Sequence, residues 1–268
     1  MNYKITTLID NVVYGRKLQA EHGLSLSIRT AQHHILFDTG QSDLFIRNAE
    51  LLHVDLSTVD YLILSHGHSD HTGGLRHFLS INSKAKVICK RETLFRKFKD
   101  RRENGILQSD ELDLSRFQFI TDQTELIPGV HLFPVLPILN TADTHFDHFF
   151  TETDEGIIPD CFEDELAIAL LTEEKYAVIS ACSHRGITNI LQTISQAFPN
   201  HSCQLLLGGF HIHNTATEKF QIIADYLQQN PVERIGICHC TGVDNYARFQ
   251  QAFGEDIFYN YTGLSFSL

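Results

Sequence analysis

The fold of this chain is decided by the stretch Ser65-His66-Gly67-His68-Ser69-Asp70-His71-Thr72-Gly73-Gly74. It follows residues 59–64, whose apolar, β-branched and aromatic side chains predict a short buried strand. Three histidines and one aspartate fall within six residues here, and a turn at a strand end can point all four side chains to one side. Neutral imidazole nitrogen and carboxylate oxygen are ligands that zinc, iron and manganese accept. The spacing therefore predicts a metal site, and a polar surface loop that is rich in histidine is the alternative.

This His-x-His-x-Asp-His turn resembles the hallmark of the metallo-β-lactamase superfamily of hydrolases. The resemblance implies an α/β (α+β) fold, the four-layer αββα sandwich, with the site along one edge of the sheets. It also implies a site for up to two metal ions. His66 and His68 would hold the first ion, and Asp70 and His71 the second. The remaining ligands are expected from loops that lie far along the sequence.

Length, charge and cysteine content narrow the class of protein. A chain of 268 residues suits one large domain or two small ones, and we expect residues 1–268 to form a single domain. The net charge of -12 argues against a nucleic-acid binder, which would need a basic surface. No run of 18 apolar residues and no secretory signal is evident, so we expect no membrane contact and a cytoplasmic location. The six cysteines form no Cys-x-x-Cys pair, and free thiols are expected.

The amino-terminal part predicts a meander of strands at residues 3–9, 24–29 and 34–37. Residues 35–40, Ile-Leu-Phe-Asp-Thr-Gly, resemble the superfamily's strand-to-turn element with a buried aspartate. Asp38 would then orient a ligand histidine, and capping of the next segment is the alternative. Helices are expected at about 43–50, 72–79, 217–228 and 244–253, and strands at 86–89, 166–171, 176–180, 205–207, 235–238 and from 257. His33 and His34 lie in a turn and are expected to be exposed.

Two segments have no assigned role from the pattern alone. Residues 90–102 carry seven of the 21 basic residues, interleaved with apolar side chains at helical spacing, which predicts an amphipathic helix. A solvated face is one interpretation. A cover over the site that favours anionic substrates, or a contact in a homo-oligomer, is the other. Residues 140–163 have little periodicity and contain several aromatic residues, so they are interpreted as a substrate-binding loop or an interface.

Three further histidines, His184, His211 and His239, follow predicted strands, each in a turn that contains glycine or serine. His184 and His239 are predicted metal ligands, and His211 is predicted to be a ligand or a group that steadies an oxyanion. Their motifs are Cys-Ser-His-x-Gly-Ile-x-Asn, Gly-Gly-Phe-His and His-Cys-Thr-Gly. In that order they resemble the subgroup named for the archaeal 7,8-dihydropterin-6-methyl-4-(ribofuranosyl)aminobenzene 5′-phosphate synthase.

The chain also departs from the superfamily pattern. Many members carry an aspartate that bridges the two metals, and here the comparable strand end is Ala181-Cys182. Cys182 is therefore interpreted either as a soft ligand or as a buried thiol. The third ligand of the superfamily has no clear counterpart, and the acidic residues near its position are Asp160, Asp164 and Glu165. Two divalent ions are expected, zinc by default and manganese or iron as alternatives.

The resemblance implies a metal-dependent hydrolase. A bound divalent metal lowers the pKa of its water to about 7, so hydroxide is available at neutral pH. Asp70 would be a ligand or a base, His211 would steady an oxyanion, and Thr241 with nearby amides would contact a phosphate. We expect a small anionic substrate, a phosphoester by preference. The alternatives are a metal-site sensor of a metabolite and a non-hydrolytic metalloenzyme of the same fold. A flavin-dependent oxidoreductase or a nuclease would need a further domain, for which no residues remain.

Overall fold

The structure, a computed structural model, describes residues 2–213 and 217–268. The strands are β1 (Lys4–Ile9), β2 (Ser25–Arg29), β3 (His34–Phe37), β4 (Tyr61–Ile63), β5 (Lys86–Cys89), β6 (Lys97–Lys99), β7 (Arg102–Glu103), β8 (Phe117–Phe119), β9 (Thr124–Ile127), β10 (Val130–Phe133), β11 (Phe149–Thr153), β12 (Gly156–Pro159), β13 (Ala167–Leu171), β14 (Lys175–Ser180), β15 (Ser202–Gly208), β16 (Ile235–Ile237), β17 (Ile257–Tyr259) and β18 (Ser265–Ser267). The α-helices are α1 (Leu44–Leu51), α2 (Ser69–Thr72), α3 (Leu75–Ile81), α4 (Ile187–Ala197), α5 (Thr217–Gln229) and α6 (Val243–Phe253). Within these described ranges, no helix has the length and apolarity needed to cross a bilayer.

The chain divides into two compact units. We call them the amino-terminal unit (Asn2–Thr121, Phe146–Asp164 and Tyr261–Leu268) and the carboxy-terminal unit (Asp122–His145 and Glu165–Asn260). The prediction that residues 1–268 form one domain stays a prediction.

The amino-terminal unit contains a seven-stranded sheet in the order β18-β1-β2-β3-β4-β5-β8. The pairs from β18 to β3 are antiparallel, and those from β3 to β8 are parallel. The crossover from β3 to β4 contains α1, and that from β4 to β5 contains α2 and α3, because parallel neighbours need a long connection. Both α1 and α3 bury apolar side chains, among them Phe45 and Phe78, in one apolar cluster with the sheet. A small antiparallel sheet in the order β12-β11-β6-β7 completes this unit.

The carboxy-terminal unit contains a second seven-stranded sheet, in the order β17-β16-β15-β14-β13-β10-β9. Strands β14 to β17 are parallel to one another, while β13, β10 and β9 run antiparallel to their neighbours. The connections α4, α5 and α6 pack apolar residues against this sheet, including Ile190, Ile223 and Phe249. The parallel strands β14, β15 and β16 therefore end at the same edge of the sheet, where each predicted histidine follows.

Most predicted strands and helices are confirmed, and two segments differ. The predicted helix over 90–102 is wrong: Arg91–Leu94 form a short 3-10 turn, and the chain then enters β6 and β7. Lys97 is buried, whereas Arg96 and Lys99 are exposed and Phe98 is half-buried. Part of the segment 140–163 is regular, because residues 149–159 form the hairpin β11–β12.

His34 is buried, whereas the turn pattern predicted that it would be exposed. It begins β3 and is buried, with Nε2 at 2.8 Å from Ser27 Oγ and Nδ1 at 2.9 Å from Thr58 Oγ1. Burial, helped by the nearby Arg29 guanidinium, lowers the pKa of His34 from its ordinary 6.5 to about 4. The ring is therefore neutral in the folded protein at pH 7, while in the unfolded chain it takes a proton below about pH 6.5.

This difference predicts a pH-dependent loss of stability. A lowered histidine pKa contributes stability that is complete above pH 6.5 and is lost as the pH falls toward 4, because the unfolded state then binds more protons. The contribution lost by pH 4 is about 3 kcal/mol, at about 1.4 kcal/mol for each unit of pKa difference. Urea unfolding at pH 7 and at pH 4 should show that His34→Gln loses less free energy of unfolding than the wild type by about this amount. Equal losses in the two proteins would contradict the assignment.

Candidate metal centre

The turn after β4 places its ligand-type side chains through the parallel pairing of β3 and β4. Phe37 pairs with Ile63, so Asp38 and Ser65 follow two neighbouring strands at the same edge. The chain then begins α2 with His68 as its first flanking residue, which puts Asp70 and His71 in one helical turn. This short helix returns the second half of the motif toward the first half.

The three imidazoles of the turn are buried and packed against one another. The ring centroids of His66 and His68 are 4.7 Å apart, and those of His66 and His71 are 4.3 Å apart. His66 and His71 are fully buried, and His68 is 4 % exposed. A ligand nitrogen of His66 lies within 4.8 Å of one of His68, and another such pair joins His66 and His71, which is a range in which a cation can be shared.

Burial favours the neutral form of two of these rings, those of His66 and His68. Loss of solvent lowers the pKa of His66 well below its ordinary value, with a further contribution from His71 and His68. Loss of solvent also lowers the pKa of His68 to about 3. A neutral imidazole retains one nitrogen lone pair, which is the form that binds a metal.

The Asp38 carboxylate makes hydrogen bonds with two residues of the turn, Ser65 and His71. Its Oδ1 accepts the Ser65 N–H at 2.7 Å, and its Oδ2 accepts the Ser65 hydroxyl at 2.7 Å. The same Oδ2 lies 2.8 Å from His71 Nδ1, and the Ser65 hydroxyl lies 2.9 Å from His66 Nδ1. The contact with Asp38 engages Nδ1 of His71, so Nε2 is the ring atom of that histidine suited to a metal. The hypothesis that Asp38 orients a predicted ligand histidine agrees with this geometry.

The Asp70 carboxylate lies among histidines. Its Oδ2 is 3.6 Å from His71 Nε2 and 3.2 Å from Nε2 of His22, a residue in the loop between β1 and β2. Asp70 is 8 % exposed, whereas the His22 side chain is 64 % exposed. The sequence analysis did not identify His22, because a single histidine in an irregular loop has no pattern that marks it.

Aromatic rings from the β11 region close one side of the histidine turn. The Phe149 ring lies 4.8 Å from His68, and the Phe162 ring lies 5.2 Å from His68 and 6.2 Å from His66. Phe146 stacks on Phe162 at 5.9 Å. These apolar neighbours exclude water from the imidazoles, which strengthens electrostatic interactions within the turn.

The carboxy-terminal unit brings its predicted residues together at the ends of β14, β15 and β16. His184, His211 and His239 follow these strands. Ser183, His211 and His239 all have positive φ angles, of 58°, 47° and 48°, so each turn leaves its strand sharply. The backbone is strained at three adjacent strand ends, a feature that clusters at functional sites.

His184 and His211 form a histidine group with His145. The ring centroids of His184 and His211 are 4.2 Å apart, and His145 stacks on His211 at 4.1 Å. His184 Nδ1 lies 3.1 Å from the His145 carbonyl oxygen. The Glu165 carboxylate accepts the N–H groups of His184 and Arg185 at 2.7 and 2.8 Å, which fixes the turn.

His239 lies in a thiol-rich group. Ligand atoms of Cys182, His239 and Cys240 all lie within 4.8 Å of one another, and the three residues are buried. Sulfur and imidazole nitrogen are zinc ligands. The soft-ligand interpretation of Cys182 therefore has a geometric basis, and Cys240 is a second thiol that the sequence analysis did not propose.

Four other residues considered for the site have partners within the protein. Thr241 is buried, and its hydroxyl accepts the Phe210 N–H at 2.9 Å. Asp160 and Asp164 form ion pairs with Lys97, and the Glu165 carboxylate accepts two backbone N–H groups. The phosphate contact of Thr241 stays a prediction.

Comparison with known proteins places these turns in a family. The chain is similar to a solved structure, Tm1679, described as a metal-dependent hydrolase of the β-lactamase superfamily. The two are 30 % identical with a TM-score of 0.87, over 98 % of each chain. The family model of the metallo-β-lactamase superfamily matches residues 20–152.

This chain belongs to the metallo-β-lactamase superfamily. The predicted α/β fold of that superfamily is confirmed. The chain is 29 % identical to the 7,8-dihydropterin-6-methyl-4-(beta-D-ribofuranosyl)-aminobenzene-5'-phosphate synthase of Methanocaldococcus jannaschii, over 95 % of this chain and 93 % of that protein. It is 26 % identical to MJ0448, an uncharacterized protein of the same organism, over 92 % of this chain and 94 % of that one. The fold of this superfamily generally binds divalent metals. The groups described above contain histidine, aspartate and cysteine, which are residue types that can hold a metal ion.

The contacts of Asp38 predict a specific effect on metal affinity. Asp38→Asn keeps the side-chain volume but removes the charge that orients His71, so the zinc dissociation constant should rise about 10- to 100-fold. Competition with a chromophoric chelator measures this constant. Asp43→Asn is the matched control, because Asp43 is paired with Arg47 in an exposed ion pair of the same unit. Unchanged affinity in Asp38→Asn would remove Asp38 from the site.

Proposed function

We propose that this chain is a metal-dependent hydrolase of small anionic, phosphoester-type substrates, with a dinuclear site for divalent ions. The residues that would hold the ions are His66, His68, Asp70, His71, His184 and His239. The observation that carries the proposal is the group of three buried imidazoles in one turn, with the His66 ring centroid 4.7 Å from that of His68 and 4.3 Å from that of His71. Burial of three histidines in one turn costs hydration, and a bound cation would offset part of this cost.

The donor set fits a borderline divalent metal. The amino-terminal unit offers imidazole nitrogen and the Asp70 carboxylate, and the carboxy-terminal unit offers imidazole nitrogen and two thiols. Zinc accepts all three donor types, which supports zinc as the resident ion. Manganese and iron remain alternatives for the nitrogen and oxygen ligands.

A bound divalent ion would acidify a water molecule and polarise the oxygen of a phosphoester. The residues of the chain would do the remaining work. Asp70 would be a ligand when two ions are bound; with a single ion bound, its carboxylate would instead take a proton from the attacking water. His211, stacked on His145, would donate a hydrogen bond to an oxygen that becomes negative. The phenylalanines against His68 would keep bulk water away from this proton transfer.

The names of the relatives support a phosphate-bearing ligand. The Methanocaldococcus synthase makes a product that contains a 5'-phosphate, and Tm1679 is described as a metal-dependent hydrolase. A phosphate group on the substrate satisfies both descriptions. Because the chain carries a net charge of -12, an anionic substrate needs local positive charge, and divalent ions would provide it.

A synthase is the second candidate, favoured by the 29 % identity over almost the whole chain. It would be a non-hydrolytic metalloenzyme of the same fold that acts on a phosphate-bearing metabolite. A sensor that binds such a metabolite without turnover is a third class. Release of phosphate or alcohol from a phosphoester panel supports hydrolysis, a joined product from two supplied metabolites supports the synthase, and binding alone supports the sensor.

We place the protein in the cytoplasm, with a small molecule rather than nucleic acid or membrane as its partner. Six free cysteines among the described residues support a reducing compartment, and the acidic net charge disfavours nucleic acid. A homo-oligomer remains part of the proposal, and size-exclusion chromatography with light scattering tests it.

Two substitutions test the ligand assignment. His68→Ala and His239→Ala should each lower the metal content measured by elemental analysis after native purification. Both should reduce phosphoester turnover at least about 100-fold, because each removes a predicted ligand rather than an apolar contact. Circular dichroism should show that the fold is retained.

The matched control is His77→Ala, which removes an exposed histidine on α3. It should keep wild-type metal content and activity. Two results would contradict the proposal: a wild-type protein that stays metal-free after zinc is added, or a His239→Ala variant with normal metal content and turnover.

A further inference from the structure

Lys97 is a buried lysine at the start of β6 in the amino-terminal unit. Its side chain is 2 % exposed, although it lies in the segment with the highest density of basic residues. Its Nζ donates to Asp160 Oδ2 at 2.8 Å and lies 3.1 Å from Asp164 Oδ1. The two carboxylates are 3 % and 0 % exposed. Lysine and aspartate are almost never buried to this extent unless they are paired, so the three residues form one unit, which we call the buried triad.

The buried triad contacts the histidine turn at its centre. Asp164 Oδ2 accepts the N–H of Gly67 at 2.7 Å, and Gly67 lies between His66 and His68. A Cβ atom built on Gly67 would lie 2.5 Å from the Thr93 carbonyl oxygen, 3.2 Å from Asp164 Oδ2 and 3.3 Å from Lys97 Cε. The turn therefore rests directly on the triad, and only glycine allows this approach.

A second contact passes through Asp160. Its Oδ1 accepts the N–H of Phe162 at 2.8 Å, while its Oδ2 holds Lys97. Phe162 has a positive φ angle of 53°, and its ring packs edge-on against His68 at 5.2 Å. Asp160 thus fixes the backbone of the residue whose ring limits the position of His68.

A third contact runs along the backbone of the lysine itself. The Lys97 carbonyl oxygen accepts the N–H of Asn104 at 2.8 Å, and the Asn104 carbonyl oxygen accepts the N–H of Ser69 at 2.9 Å. Ser69 is the first residue of α2, which carries Asp70 and His71. The lysine strand is thereby joined to the start of the helix that contains half of the motif.

We infer that the buried triad of Lys97, Asp160 and Asp164 is the positioning device of the histidine turn, and that it sets the metal affinity of His66 and His68. The inference rests on the proposed function, since it assigns a role toward the proposed metal ligands. Lys97 holds two carboxylates in place, and those carboxylates hold the Gly67 and Phe162 amides.

The first test measures the turn without metal. In the full-length chain freed of metal by a chelator, hydrogen exchange resolved to the Gly67 amide should show strong protection in the wild type. In Asp164→Ala the exchange at Gly67 should be at least about tenfold faster, because the amide loses its acceptor. A wild-type Gly67 amide that exchanges as fast as an exposed amide overturns the inference, and this result needs no variant.

The second test measures metal affinity with zinc alone as the probe. Competition with a chelator should give dissociation constants about 10- to 100-fold higher for Asp164→Ala and Lys97→Met than for the wild type. Asp164→Asn, which keeps the shape and an amide oxygen, should show a smaller rise, and it serves if the other variants fail to fold. Lys84→Met is the matched control, since Lys84 pairs with Asp60 at 2.7 Å in an exposed ion pair.

A control for stability separates positioning from folding. Val87→Ala removes a buried side chain of β5 and lowers the melting temperature without contact with the turn. It should keep the zinc affinity and the Co2+ absorption spectrum of the wild type, whereas Asp164→Asn should change that spectrum. If Val87→Ala weakens zinc binding as much as the triad variants do, the triad is structural only. If the wild type binds no zinc, the proposed function fails, and the exchange at Gly67 still decides the positioning role.

Discussion

The amino-terminal unit depends on the hydrogen bonds that the buried Asp38 carboxylate makes with Ser65 and His71. An ionised carboxylate without solvent needs hydrogen-bond partners that replace its water, and Asp38 finds them on Ser65 and His71. Its backbone has a positive φ angle of 57°, which a non-glycine residue adopts at a cost. Both costs are compensated only when the turn after β4 folds back against the end of β3. The histidine cluster is therefore a consequence of how one carboxylate is satisfied.

In the carboxy-terminal unit, the order of the parallel strands brings ligand-type side chains together. Its three parallel strands β14, β15 and β16 end beside one another. The turn after each strand contains a non-glycine residue with a positive φ angle, namely Ser183, His211 and His239. Gly208 and Gly209 allow the turns to approach closely, since a Cβ atom on Gly208 would lie 1.7 Å from the Ser180 carbonyl oxygen. Sheet topology brings His239 together with Cys182 and Cys240, so that their ligand atoms lie within 4.8 Å of one another although the two cysteines are 58 positions apart in the sequence.

The sequence predicted this architecture well where local rules act. Strand ends, the turn motif and the histidines at 184, 211 and 239 follow from apolar runs bounded by glycine and polar residues. The wrong predictions concern residues whose contact partners lie far away in the sequence. The basic run predicts Lys97 as part of an amphipathic helix, because its partners Asp160 and Asp164 lie 63 and 67 positions away in a segment without visible periodicity. The exposure predicted for His34 is wrong for the same reason, since its partners Ser27 and Thr58 come from other parts of the chain.

The contacts of the basic segment change the electrostatic argument for an anionic substrate. Seven cations at 90–102 suggested a positive surface near the site. Arg96 instead pairs with Glu103 at 3.0 Å and with Glu152 at 2.8 Å, and Lys97 is enclosed by the carboxylates of the triad. Lys99 lies over the Phe149 ring at 5.3 Å, where an aromatic face shields one side of its charge. The charges of Arg96 and Lys97 are therefore compensated by carboxylates, in a chain with a net charge of -12. Under the proposed function, bound divalent ions would add positive potential for an anion, so loss of metal should weaken substrate binding as well as turnover.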